Sequence, residues 1–179
     1  DYDVDGASSA ALIIRFFKQL GIDTTLYIPD RVEEGYGPNI FGLRKLKADG
    51  ANLILTLDCG ILAFDVLEKA SNDGCEIIVI DHHKAEADLP SVKSIINPNR
   101  LDDDSELGEL AAVGVCFLFL VALNRRLRHI GYFNRLSEPN LIELLDLVAL
   151  GTVCDVVPLR GLNRAFVSQG LKIIGNRTN

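Results

Sequence analysis

The sequence contains no methionine, no tryptophan, only three histidines, and four cysteines of which no two stand in C-x-x-C spacing. Each scarcity excludes something. Cys59, Cys75, Cys116 and Cys154 sit among apolar or small neighbours, which reads as reduced, mostly buried thiols rather than a disulfide framework or a thiolate zinc site. Lysine and arginine number 18 against 25 aspartates and glutamates, and the net charge of −7 argues against a general nucleic-acid-coating surface. It leaves open a nucleic-acid substrate held by other parts of a longer protein. Long apolar runs are also missing: the longest, Leu110 to Leu123, falls short of the ~20 residues needed to cross a bilayer and reads as a buried helix. Near the start there is no basic region followed by an apolar stretch and a small-residue cleavage site, so no membrane association is expected and the cytoplasm is the expected compartment. The lack of methionine even at position 1 is what an excerpt of a longer chain, cut at both ends, would show.

What is present suits a globular domain. At 179 residues the chain fits one domain, or one and part of another, and can bury roughly 70% of its unfolded surface. Hydrophobic residues make up 48% and charged residues 24%, far from the composition of disordered chains. Apolar positions between Ala7 and Leu20 recur at helical spacing and stop at Gly21. Thr24 to Ile28 is rich in strand formers, DRVEEGYGPN (Asp30 to Asn39) is a loop, and Phe41 to Ala48 a short helix. NLILTL (Asn52 to Leu57) and CEIIVI (Cys75 to Ile80) are continuous apolar strands of the kind covered on both faces, separated by a helix from Ile61 to Ser71, with a third strand at Val92 to Ile96. Beyond Glu109 the pattern is helical to Gly175, with a polar break from Arg125 to Asn140. This alternation predicts an α/β fold: a central, mainly parallel sheet flanked by helices, with a helical second half.

The acidic residues fall at particular places. DYDVDG sets Asp1, Asp3 and Asp5 at alternate positions, and in a strand end these carboxylates would share one face. NLILTL runs into Asp58, and CEIIVI into Asp81, His82 and His83, at the strand ends where α/β sheets bind ligands. Asp155 stands inside the apolar stretch LVALGTVCDVVPL, where a buried charge is costly unless it is paired or bound to a cation. Each cluster also has a plain reading. Asp5-Gly6 can be a helix N-cap and turn, Asp58-Cys59-Gly60 a strand-to-helix turn, His82-His83 a surface pair, and Asp155 an N-cap in a helix break. Together, however, oxygen-rich ligands with one or two imidazoles suit Mn²⁺ or Mg²⁺ better than zinc. Two such ions about 3.5–4 Å apart, sharing a carboxylate, perform phosphoester hydrolysis.

DYDVDG, LDCG, DHH and GTVCDVVPL, in this order and at these intervals, resemble the motifs of the DHH phosphoesterase superfamily. YIPDRVEEGYGPN, VIDHH, INPN, LAAVGVCFLFLVAL and LDLVALGTVCDVVPLRGLNRAFVSQGL are similar to its bacterial RecJ branch, the single-strand-specific DNA exonucleases, and the similarity runs across essentially all 179 residues. The resemblance implies that residues 1–179 are a DHH catalytic domain, truncated at both ends, without the second, DHHA1-type domain and the oligonucleotide-binding domain of such enzymes. It implies a two-ion site of Mn²⁺ or Mg²⁺. Asp3 would serve the first ion, Asp5 the second and Asp58 both, and His82 and Asp155 would complete the coordination of the second ion, with Asp58, His82 and His83 as the catalytic group. Asp81 would orient an imidazole, His83 would meet the scissile phosphate, Asp1 is left as a supporting position, and a family histidine two residues before Asp1 precedes this excerpt. Arg31 and Tyr36, in the loop bordering the cleft, become possible substrate contacts, although a solvated loop accounts for them equally. Ser8 and Ser9 are read as helix-capping residues, and the basic cluster Arg125, Arg126, Arg128 and His129 as a complement to a helix end.

The function implied is 5′-to-3′ exonuclease action on single-stranded DNA in repair and recombination, by a monomer working with a single-strand-binding protein and a helicase. The rivals are a DHH phosphodiesterase acting on short oligonucleotides or cyclic dinucleotides, a related pyrophosphatase, and a non-catalytic DNA-binding scaffold.

Overall fold

The computed structural model describes residues 3–176. Helix α1 (Val4–Gln19) begins where the Asp3 carboxylate accepts a hydrogen bond from the Gly6 amide at 2.9 Å, satisfying one of the donors that a helix start leaves open. The opening acids are therefore not an alternating strand end. Asp3 is the helix cap, Asp5 already lies in the first helical turn, and Asp1 lies outside the described residues. Ser8 and Ser9 do not cap the helix either; both are buried within it, and the Ser8 hydroxyl donates back to the Asp5 carbonyl. Leu12, Ile13, Phe16 and Leu20, at three- and four-residue spacing, form the buried face of α1.

Thr24 to Ile28, expected as a strand, forms none. Its β-favouring side chains need a neighbouring ladder. Instead, an apolar groove of about 660 Å³, lined by Ile13, Phe17, Leu26, Leu55 and others, lies beside it, and Leu26 and Ile28 remain exposed. Helix α2 (Ile40–Ala48) follows, capped by Asn39.

The sheet comprises β1 (Ile54–Leu57), β2 (Ile77–Ile80) and β3 (Ser94–Ile96), in that order and all parallel, with Ile54 opposite Ile77 and Ile78 opposite Ser94. Helix α3 (Phe64–Asn72) makes the β1-to-β2 crossover; it starts later than expected because the Ile61 amide is drawn instead to the Asp81 carboxylate. Both faces of the sheet are covered, which is why its strands read as unbroken apolar runs. Ile54, Ile77 and Val79 pack with Leu43, Leu67 and Ala70 of α2 and α3. Ile80, together with Leu55, Leu57, Ile78 and Ile96, packs against α1, α4 (Ala112–His129) and α5 (Leu145–Cys154).

Helix α4 continues through Arg125–His129, so the polar break begins later than expected. Arg126, Arg128 and His129 occupy its last turn, where cations complement the helix dipole, and Arg128 pairs with Glu138. Helix α6 (Gly161–Asn176) closes on α5 with Phe166 and Val167 buried. Among the described residues no helix is long and apolar enough to cross a membrane. Cys59, Cys75 and Cys116 are buried free thiols and Cys154 an exposed one.

The α5–α6 contact depends on Gly170, where an added Cβ would stand 2.2 Å from the Leu145 carbonyl oxygen and 2.4 Å from the Ala149 Cβ. Gly170→Ala gains about 1 kcal/mol of helix propensity but forces apart two backbones that cannot yield, and overpacking costs about 1–3 kcal/mol. The variant is expected to unfold at lower urea than the wild type; a raised midpoint would contradict this close approach.

Candidate metal centre

The parallel strands end on one edge, and the candidate side chains gather there. Asp58 follows β1, and Asp81, His82 and His83 follow β2. Asp5 arrives from the first turn of α1, and Asp155 from the C-terminal cap of α5 rather than from an N-cap. Asp58 holds φ +60°, a left-handed conformation that costs a non-glycine residue roughly 1–2 kcal/mol, and the β-branched Val156 beside Asp155 holds φ +61°. One strained residue belongs to the acidic cluster and the other adjoins it.

The His82 ring is the centre. Its Nδ1 lies 3.0 Å from the Leu110 carbonyl oxygen. A carbonyl only accepts, so Nδ1 carries the proton and Nε2 is the atom turned to the acids. Nε2 stands 3.3 Å from Asp58 Oδ1, 3.8 Å from Asp155 Oδ2 and 3.9 Å from Asp5 Oδ2. Asp58 Oδ1 and Asp155 Oδ2 are shielded from solvent and accept no aligned hydrogen bond. Two sets have ligand atoms within 4.8 Å of one another: Asp58, His82 and His83, and Asp5, His82 and Asp155. His82 belongs to both.

The remaining contacts hold these groups in place. Asp5 is buried, and its carboxylate accepts from the Ala112 and Val113 amides at 2.6 and 2.9 Å, so it caps the otherwise uncapped N-terminus of α4. Its second lone pairs stay free for a cation. Gly151 of α5 lets this junction close, since a Cβ there would meet Ser8 Oγ at 2.3 Å and Asp5 Oδ1 at 3.0 Å. Asp81 is 1% exposed and accepts from the amides of Ile61, His82 and His83; its Oδ1 also lies 2.7 Å from His83 Nδ1. It aims the His83 ring across the cluster. Asp3 caps α1 and belongs to neither set, but its charge acts on Asp58 and Asp155.

Electrostatics follow from burying acids together. Desolvation and the Asp58 charge push Asp5 up to about 7, against the pull of the α4 amides and His82. Desolvation likewise raises Asp58, with Asp3 adding to it, and raises Asp155. For His82, burial opposes the imidazolium, but the contact with Asp58 and the charges of Asp155 and Asp5 outweigh it and carry the ring up to about 9. Burial would raise Asp81 as well, yet the hydrogen bonds from His83 and the Ile61 amide hold it below its ordinary value, while Asp81 raises His83. Tyr36, in the 30–39 loop, is exposed but within reach of the cluster's charges: desolvation and the charges of Asp58, Cys59, Asp81 and Asp3 raise its hydroxyl. Arg31 is exposed in the first turn of that loop.

The family model described as the DHH family, N-terminal domain, matches residues 1–152. The chain belongs to the DHH family. It is 44% identical over 177 residues to the single-stranded-DNA-specific exonuclease RecJ of Escherichia coli, covering 97% of this chain and 31% of that protein. Against RecJ of Bacillus subtilis it is 38% identical over 179 residues, covering 21% of that protein. The chain thus spans a third or less of the length of these curated relatives. A crystal structure of exonuclease RecJ bound to manganese superposes with a TM-score of 0.80 at 38% identity, covering 96% of this chain and 41% of that one. RecJ of Thermus thermophilus in complex with Mn²⁺ superposes at 0.74 with 34% identity, covering 96% of this chain and 23% of that one. Asp155 lies beyond the 1–152 match, so its place among the DHH residues rests on its 3.8 Å approach to His82.

Sequence reasoning missed the supports. Asn97 and Asn99, in the INPN stretch after β3, donate to the carbonyls of His83 and His82 at 2.9 and 2.6 Å. That stretch marked the resemblance without suggesting a role for either side chain. The Leu110 carbonyl and the Ala112 and Val113 amides carried no signal, since backbone groups are the same at every position.

In protein stripped of metal with a chelator, the His82 imidazole is expected to titrate by NMR with a midpoint near 9. Removing the Asp58 charge in Asp58→Asn should lower that midpoint. A His82 midpoint at or below the ordinary value of about 6.5 would contradict the cluster.

Proposed function

We propose that this DHH domain is the metal-holding part of a RecJ-type exonuclease that hydrolyses phosphodiester bonds of single-stranded DNA from the 5′ end. The observation that carries the reading is the convergence of Asp5, Asp58 and Asp155 on one Nε2, with two buried carboxylate oxygens that accept no aligned hydrogen bond. Hard oxygen donors with a single shared imidazole fit Mn²⁺ or Mg²⁺, and the resemblance to RecJ bound to manganese supports the same ions. Asp3, Asp5, Asp58, His82 and Asp155 would hold them. Bound there, a pair of such ions lowers the pKa of a water and stabilises charge on the oxygens of a phosphodiester under attack.

The chain's own groups prepare that chemistry. The Leu110 carbonyl keeps one His82 proton on Nδ1, so the proton released on binding an ion leaves from Nε2, whose lone pair then faces the acids. Asp81, held ionised, orients His83 and raises its proton affinity, so His83 can set a positive N–H against a phosphate oxygen. Tyr36 and Arg31 lie in the loop at the rim, where Arg31 would meet the strand.

A chain of net charge −7 is poorly suited to grip a polyanion alone. We therefore place strand binding in a DHHA1-type and an oligonucleotide-binding domain outside these residues, consistent with relatives about three times longer. Work in the cytoplasm, in DNA repair and recombination, as a monomer beside a single-strand-binding protein and a helicase, belongs to the same proposal.

The test uses the full-length protein with Mn²⁺ on 5′-labelled single strands, duplex DNA, dinucleotides, cyclic dinucleotides and pyrophosphate. Long single strands are expected to be degraded fastest, and Asp58→Ala to reduce hydrolysis to background. Faster turnover of the small substrates would replace the exonuclease reading with another DHH phosphodiesterase, and undiminished activity in Asp58→Ala would remove the site. Mn²⁺ affinity should also rise with pH. Asp5 is protonated below about 7 and His82 below about 9, so each must release its proton to bind an ion. Calorimetry in buffers of different ionisation enthalpy measures that release; binding that takes up no pH dependence between 6 and 9 would contradict it.

A further inference from the structure

Three consecutive carbonyls in the segment leading into α4 are taken by three different side chains. Gly108 O accepts from Asn99 Nδ2 at 3.0 Å, Glu109 O from Asn163 Nδ2 at 2.7 Å, and Leu110 O from His82 Nδ1 at 3.0 Å. One turn later the Ala112 and Val113 amides bind Asp5. Residues 108–113 thereby touch the elements that carry Asp5 and His82.

Each asparagine reaches further. A carboxamide has two N–H donors. Asn99 Nδ2 also donates to the His82 carbonyl at 2.6 Å, and Asn163 Nδ2 also donates to the carbonyl of Pro158, just downstream of Asp155, at 3.1 Å. So Asn99 joins the His82 loop to Gly108, and Asn163, on α6 and 2% exposed, joins the Asp155 loop to Glu109. Asn97 steadies the first of these by accepting from the Asn99 amide at 2.7 Å. A Cβ at 108 would stand 2.6 Å from Asn99 Oδ1, so a larger residue there would have to displace the Asn99 side chain.

We propose that Asn99 and Asn163 are positioning residues of the metal centre: each staples one ligand-bearing loop to the 108–110 segment, so that His82 and Asp155 meet Asp5 and Asp58 at ligand distance. The inference rests on the metal reading of the cluster. Neither asparagine touches the ions or the substrate; each acts through the loop it holds.

The discriminating readout is metal affinity against fold stability. Full-length protein, stripped with a chelator, is titrated with Mn²⁺ while free Mn²⁺ is followed by electron paramagnetic resonance, and the metal-free melting temperature is measured in parallel. Asn99→Ala and Asn163→Ala are expected to weaken Mn²⁺ binding about 10–100-fold, the range for losing a hydrogen-bonded support of a metal ligand. Hydrolysis should fail at low Mn²⁺ and recover at high Mn²⁺. Asn124 supplies the control, being 4% exposed and bonded to Glu138 at 2.7 Å, away from the site. Asn124→Ala should lower the melting temperature and leave Mn²⁺ affinity unchanged.

If the Asn99 and Asn163 variants bind Mn²⁺ like the wild type and lose only melting temperature, the staple role is wrong. Should Asn163→Ala prove insoluble, the half-buried Asn99 decides by the same criterion. Wild-type protein that binds no Mn²⁺, or Asp58→Ala protein that binds it unchanged, would instead overturn the metal reading, and the staple with it.

Discussion

Acidic side chains buried around one point repel each other and lose the water that would have screened them, so the arrangement persists only where positive charge is supplied. Asp5, Asp58 and Asp155 face a single imidazole nitrogen under these conditions. Without an ion the protein supplies the charge by protonation, lifting His82 to about 9 and Asp5 to about 7. A divalent cation would supply it better, and would displace those protons. On the proposed reading, electrostatics that oppose folding without an ion become affinity for one, and the rest of the structure is the means of keeping the acids from moving apart.

Those means are backbone. A parallel sheet delivers Asp58 and the Asp81–His83 run to one edge, because parallel strands all finish on the same side. The turn into α4 fixes the other partners: its carbonyls hold His82 and two asparagines, and its amides hold Asp5. Close helix approaches at Gly151 and Gly170 let α5 come near enough to α1, and α6 near enough to α5, for Asp155 to reach the cluster. Stability and function share these contacts. The left-handed conformations at Asp58 and Val156 are the strain the rest of the fold sustains around them.

Much of this was legible in the amino-acid order. NLILTL and CEIIVI announced strands covered on both faces, and their terminal acids and histidines announced the ligand edge. Periodicity did not reveal how Asp5 arrives, since the helix start at Val4 breaks the alternating pattern that DYDVDG suggests, and Asp3 proved to be its cap. Asp155 read as a helix start but closes a helix, because an apolar stretch with no capping glycine carries little sign of direction. Thr24–Ile28 had strand propensity without a partner to pair with. Least visible were the contacts of Asn97, Asn99 and Asn163, since which distant carbonyls they meet is a matter of tertiary geometry that no local pattern encodes.

The most direct measurement is anomalous diffraction at the manganese edge from crystals of the full-length protein grown with Mn²⁺. The account predicts a peak within ligand distance of Asp58 and His82, joined by a second on the same carboxylate of Asp58. Manganese bound elsewhere, with Asp5, Asp58 and Asp155 left around a protonated His82, would contradict it.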